Sequence, residues 1–299
     1  MLTLDPSIDV AGLARMVASA YGPCEPLDFV PVGGDSWGFV ARPLWVSVRR
    51  DRGGHWRGAY ESAAWLRNEG LEFVLAPVVS GSGEVVADVS GHPVVVFRFL
   101  DGAELDPAEA SSAQAAAVAE MISRLHAIDR VDIDLPRESF VLPFADELEI
   151  GVARALAGTA DVGPYAASLT RLVRSNRARV ADLRAEMTRV RQTCQQDEVT
   201  FVLTHGEPTN AFARLSGELL LMDWGSLGWA PPERDWLALT DLGIPWPRGT
   251  RPHLRRYYEL RWILSEVAEY VSRFTTSHAG DVADDDKWSE LLRYLPATG

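Results

Sequence analysis

The sequence predicts an α+β chain, with a β-rich part over residues 1–100 joined to a helical part over residues 101–299. Three observations predict it. Short runs rich in Val, Phe and Trp, broken by Gly and Pro, fill the N-terminal part. From Asp106 onward, apolar residues recur at spacings of three and four. Two β-like runs, Thr200–Leu203 and Leu219–Met222, then return late in the helical part, with a polar loop expected between them.

Taken in order, Asp9–Tyr21 reads as a short helix after Pro6 and Ser7, and strands surround Val30, Phe39 and Val46. Ala59–Asn68 reads as a helix ended by Gly70. The apolar runs Phe73–Val79, Glu84–Val89 and Pro93–Phe99 are expected to continue the sheet, with Gly81, Gly83 and Gly91 in the turns. Val118, Met121, Ile122 and Leu125 make one helical face. Leu169, Leu172, Val173, Val180, Leu183, Met187 and Val190 predict one long helix dotted with arginines. A third stripe, from Leu260 through Ile263, Leu264, Val267 and Val271 to Phe274, predicts a C-terminal helix. The acidic stretch Asp281–Asp286 is expected to be a solvated turn before a last helix.

Composition excludes several classes. Hydrophobic content of 47% with ten tryptophans is that of a globular chain. No apolar run approaches the roughly 18 residues of a membrane span. Asp5 and Asp9 stand where a secretion signal would carry basic residues. Cys24 and Cys194 do not form a disulfide framework, so a soluble cytoplasmic protein is expected, a monomer or weak dimer. A net charge of −13 argues against nucleic acid and suits a cationic small molecule. Of 29 basic residues only Lys287 is a lysine. The six histidines and two cysteines show no zinc-site spacing.

The chemistry concentrates between Val199 and Trp236. His205, Glu207 and Asn210 follow one β-run, and Asp223-Trp224-Gly225 follows the next. Phosphoryl transfer needs an acceptor-orienting carboxylate, oxygen ligands for Mg²⁺ and a rigid frame. Protein kinases meet that need with H-R-D-x-x-x-x-N and D-F-G. The order H-G-E-P-T-N, then D-W-G, resembles that pair as it occurs in the aminoglycoside phosphotransferase and choline kinase group, a two-lobed protein-kinase-like fold. Further segments share the resemblance: Gly33-Gly34-Asp35-Ser36 as the loop over the nucleotide, and Glu61 as the carboxylate bracing a phosphate-binding base. Residues 97–102, with Phe99 and Leu100, resemble the hinge that meets adenine. Leu125-His126 resembles a helix-ending pair, Pro231–Asp235 a segment whose aspartate braces the catalytic loop, and Arg261-Trp262 a feature near the acceptor pocket.

The resemblance implies a kinase that uses ATP or GTP with Mg²⁺ on a small acceptor. Glu207 would be the base, His205 a loop-fixing residue, and Asn210 and Asp223 the metal ligands. Ser36, Arg49, Glu61, Phe99 and Leu100 would bind nucleotide; Trp262 and Glu266 would bind the acceptor, with Asp146, Glu147, Glu149 and Glu269 as further carboxylates that could line a cationic pocket. A cationic antibiotic, with resistance as the outcome, is the leading reading; a choline- or homoserine-type metabolic kinase and a ligand-binding pseudokinase are the alternatives.

Three departures from the group stand out. Glu207 replaces the usual aspartate, and Asn210 follows it by three positions rather than five. Ser47 stands where the strand lysine belongs, with Arg49 two residues on and on the same strand face. Either Arg49 supplies the phosphate-binding charge, or Arg49, Arg50 and Arg52 are a surface cluster. A competing motif, G-x-S-x-G at Gly34–Gly38, would require a strand-to-helix elbow at Ser36, yet a β-run follows it.

Overall fold

The computed structural model describes residues 4–30, 36–50, 57–158 and 162–297. Gly33, Gly34, Asp35 and Arg52 lie outside the described residues. The chain divides into two compact units, residues 1–137 with 201–246, and residues 138–200 with 247–299.

In the first unit, β1 (Asp28–Val30), β2 (Ser36–Ala41), β3 (Leu44–Arg49), β4 (Val86–Val89) and β5 (His92–Arg98) form an antiparallel sheet of order β1-β2-β3-β5-β4. Side chains alternate across it. Trp37, Phe39, Leu44, Val46, Val48, Val94 and Val96 are buried in one cluster with Leu13 and Val17 of α1 (Val10–Tyr21). Each such side chain contributes about 1.5–3 kcal/mol on full burial. The Asp9 carboxylate caps α1 by accepting from Gly12 N at 2.8 Å. The opposite face carries Ser36, Gly38 and Val40, then Trp45, Ser47 and Arg49, then Val95 and Phe97. The Phe97 ring meets Tyr60 of α2 (Arg57–Asn68) edge-on, with centroids 6.4 Å apart.

The same unit holds α3 (Ser112–His126), started by a Ser111/Gln114 capping box. β6 (Gly102–Glu104), β8 (Ala211–Arg214) and β9 (Leu219–Leu221) form a three-stranded sheet of order β6-β8-β9, and β7 (Val202–Thr204) pairs with β10 (Gly228–Ala230). A short helix, α7 (Glu233–Leu239), follows. Leu66, Phe73, Val118, Ile122, Leu125, Leu203, Leu221 and Trp224 form its second core. Hydrogen bonds of Leu221 with Phe73 and Leu75 bind residues 201–246 to the N-terminal part, so the compact grouping does not follow the expected boundary at residue 100.

The second unit is helical: α4 (Ala145–Ala157), α5 (Ala166–Ser175), α6 (Arg177–Gln196), α8 (Pro252–Phe274) and α9 (Val282–Tyr294).

Four expectations are corrected. Phe73–Val79 is not a strand: Leu221 N donates to the Phe73 carbonyl and Leu75 N to that of Leu221, and Pro77, without an N–H, stops any ladder. The long helix breaks at Asn176, whose buried amide donates to the Leu172 and Pro296 carbonyls at 3.0 Å each. The stretch Asp281–Asp286 is mostly helix: Asp281 caps α9, and Asp284 is buried against Arg273 and Gly280 N. The polar loop between the two late β-runs contains β8.

Candidate active site

β7 ends at Thr204, and the buried His205 begins a loop that closes at Asn210. Asn210 N donates to the Glu207 carbonyl at 3.0 Å, making one tight turn. The Asn210 carbonyl accepts from Met222 N at 2.9 Å, one step beyond the Ala211–Leu221 pair of the β8–β9 hairpin. Asn210 and Asp223 therefore lie side by side at one end of that hairpin. Glu207 folds back toward the same end, its Oε2 accepting from Asn210 Nδ2 at 3.2 Å.

Asp223 is held at φ +61, a left-handed conformation uncommon outside glycine. Its neighbour explains it. Trp224 is buried, donates from Nε1 to the Leu221 carbonyl at 3.2 Å, and packs 4.5 Å from the His205 ring. Seating that indole in the core turns the chain at Asp223 and leaves its carboxylate exposed.

Beneath the loop lies Asp235 of α7, fully buried. It accepts from His205 N at 2.9 Å, Gly206 N at 2.6 Å and His126 Nε2 at 2.9 Å. Burial pushes its carboxyl up, but the hydrogen bond from His126 and that from the Gly206 N–H outweigh it and hold it below the usual range. For His205, burial pushes the imidazole below its usual value, against Asp235, Asp223 and the Met222 carbonyl, which all favour the charged form. Its Nδ1 accepts from Glu207 N at 3.3 Å, so the neutral ring carries its proton on Nε2.

The face of the five-stranded sheet opposite α1 is ordered along its strands. Ser36 pairs with Arg49, Gly38 with Ser47, and Val40 with Trp45, which also pairs with Phe97. Beyond β5, Phe99 N donates to the Pro43 carbonyl at 2.9 Å, and the Phe99 ring lies 4.0 Å under the Arg42 guanidinium.

A sequence profile of the phosphotransferase enzyme family (APH) matches residues 48–270. The chain belongs to this family. Protein StrN of Streptomyces griseus is 42% identical over 276 residues, which cover 90% of this chain and 86% of StrN. The fold is similar to spectinomycin phosphotransferase APH(9)-Ia, solved with ADP and spectinomycin, at TM-score 0.75 and 13% identity over 95% of this chain and 93% of that one. It is also similar to an APH(2")-type enzyme solved with GDP and kanamycin, at TM-score 0.55 and 15% identity over 95% and 97%. The α+β kinase-like fold and the phosphotransferase class expected from the sequence both hold.

Within this APH phosphotransferase, the fold gathers His205, Glu207, Asn210 and Asp223, and separately sets Ser36 opposite Arg49. It does not join Arg49 to Glu61, which is exposed on α2 with no ion pair between them among the described residues. Of the two residues expected at the hinge, the Phe99 N–H is already spent on Pro43; the Leu100 N–H meets no partner among the described residues. Ser36 opens a strand rather than a strand-to-helix turn, which removes the nucleophile elbow. In the helical unit, Glu266 Oε2 accepts from Tyr270 Oη at 2.6 Å, and the 45% exposed Trp262 donates from Nε1 to Tyr294 Oη at 3.0 Å.

Sequence reasoning missed Trp45. Its indole rests on Gly38, where a Cβ would come within 2.4 Å of Cζ2. The signal was a glycine inside an otherwise bulky strand. Asn210 and Asp223 offer only oxygens, a donor set that fits Mg²⁺, which takes one or two protein ligands beside substrate phosphates. Among the described residues no cluster of three His, Cys, Asp or Glu side chains could hold a metal by itself, and no helix is long and apolar enough to cross a membrane.

Proposed function

We propose that this phosphotransferase moves the γ-phosphoryl group of ATP or GTP to a hydroxyl of a small cationic molecule of the aminoglycoside kind. The observation that carries the reading is the convergence of Glu207, Asn210 and Asp223 at one end of the β8–β9 hairpin. Phosphoryl transfer asks the protein for positioning and charge rather than covalent chemistry. In this reading Glu207 orients the acceptor hydroxyl and takes its proton, while Asn210 and Asp223 hold Mg²⁺. The ion, when bound, neutralises charge on the phosphates. His205 and Asp235 keep the loop rigid, so that no reorganisation is needed as charge develops.

On the sheet face, Trp45 offers a flat wall for the base and the Leu100 N–H a donor for its edge. Ser36 and Arg49, at the other end of the face, lie toward the phosphates, with Arg49 in the role of the missing lysine. The net charge of −13 supports a cationic acceptor. Likeness to enzymes solved with spectinomycin or kanamycin supports the same class, whose phosphorylation would give resistance.

The test is incubation with Mg·ATP or Mg·GTP and a panel of kanamycin, spectinomycin, choline and homoserine. An aminoglycoside is expected to gain about 80 Da, the mass of one phosphoryl group, and Glu207→Gln to abolish the gain. Gain on choline or homoserine alone would shift the reading to a metabolic kinase. Unchanged transfer by Glu207→Gln would remove that residue from the chemistry.

A further inference from the structure

Arg234 sits one residue before Asp235 at the start of α7, and its side chain takes a different route to the same loop. Its Nη1 donates to Thr204 Oγ1 at 3.0 Å. That hydroxyl is buried and spends its own proton on the Gly228 carbonyl at 2.8 Å, so its lone pair is fixed in direction. The guanidinium is therefore anchored at one corner to the last residue of β7.

Its other corner reaches Gly206. A Cβ built on Gly206 would lie 2.7 Å from Arg234 Nη2 and 2.7 Å from Ser226 Cβ. One point beside the Gly206 α-carbon is thus walled by the guanidinium on one side and by the turn after Asp223 on the other. The loop bearing Glu207 and the turn bearing Asp223 meet across this contact. Gly206 lacks the side chain that would push them apart, and its φ of +99 suits glycine.

We infer that Arg234 is a positioning residue for phosphoryl transfer, a spacer tied to Thr204 that sets the Glu207 loop against the Asp223 turn. The inference rests on reading Glu207 as the base and Asp223 as a metal ligand. A planar fork suits the task, since it can bond Thr204 with one arm while the other sits against Gly206. Methionine would keep bulk without the anchor. Lysine would keep one donor and the charge without the second arm.

The experiment measures phosphate release from Mg·ATP with water as acceptor, so that no acceptor need be known. Arg234→Met is expected to lower kcat by about 100-fold with nucleotide KM changed less than about threefold, the pattern of a misplaced reacting group. Arg234→Lys is expected to recover to within about tenfold of wild type. A second readout needs no turnover. Gly206→Ala should lower the thermal midpoint less in an Arg234→Ala background than in wild type, because the guanidinium no longer meets the added methyl. An unchanged kcat in Arg234→Met, no recovery with lysine, or additive midpoints would each overturn the inference. If Glu207→Gln retains full phosphate release, the base assignment fails instead. If Glu207→Gln is inactive while Arg234→Met is not, only the Arg234 inference fails.

Discussion

Replacing Asp235 with asparagine isolates the contribution of one buried charge to the His205–Asn210 loop, the proposed catalytic loop. Oδ2 accepts two N–H groups, those of His205 and of the His126 ring, and Oδ1 accepts that of Gly206. An amide must present NH₂ at one of these positions. At Oδ2 it faces His205 N–H, while His126 can answer by shifting its proton to Nδ1. At Oδ1 it faces Gly206 N–H. Either way one backbone donor loses its acceptor, at a cost of about 1–3 kcal/mol, and the surviving bonds lose the strengthening of a charge. The expected loss is about 2–4 kcal/mol, or roughly 5–15 °C in the unfolding midpoint for a unit of this size. A loop displaced on the order of 1 Å would cost about 100-fold in kcat. Thermal unfolding followed by circular dichroism, with kcat for Mg·ATP hydrolysis, measures both. A midpoint within about 2 °C of wild type together with kcat within about threefold would show that Asp235 does not hold the loop as described.

Three further outcomes are expected. His205 is neutral when folded, its pKa depressed, so between the folded value and the unfolded value of about 6.5 the unfolded chain binds more protons. Its share of stability is full above about pH 6.5 and is lost as pH falls, so the slope of midpoint against pH below that value should flatten in His205→Gln. Trp45→Ala should weaken ATP or GTP binding by about 10- to 100-fold, the range for loss of one base-stacking surface, as calorimetric titration would measure. Asn176→Ala removes a buried amide that satisfies the Leu172 and Pro296 carbonyls; denaturant unfolding should show a loss of about 1–3 kcal/mol with fold retained.

How far the sequence reads on its own depends on the range of the forces involved. Apolar periodicity located α3 and α8, because one helical face must be buried whatever it packs against, while flanking Pro, Ser and Gly marked α1 and α2. Turn residues and β-branched runs located β2, β3 and β5 for the same local reason. Periodicity did not reveal the break at Asn176, since the apolar stripe continues through it and the partner at Pro296 is 120 residues away.

The active site shows the same division. The residue types of H-G-E-P-T-N and D-W-G, together with their order along the chain, already point to the proposed chemistry: carboxylates and an amide at strand ends, with a glycine where the loop turns. Sequence alone left open whether a loop two residues short could still bring Asn210 beside Asp223. The tertiary structure decided that through the Met222–Asn210 hydrogen bond, which lengthens the hairpin by one step. It also decided what holds the loop. Asp235 reaches His126 across 109 residues and His205 across 30, and those bonds exist because a buried carboxylate must find donors wherever the folded chain supplies them. Local chemistry is written along the chain; the satisfaction of buried charge is settled only when distant segments meet.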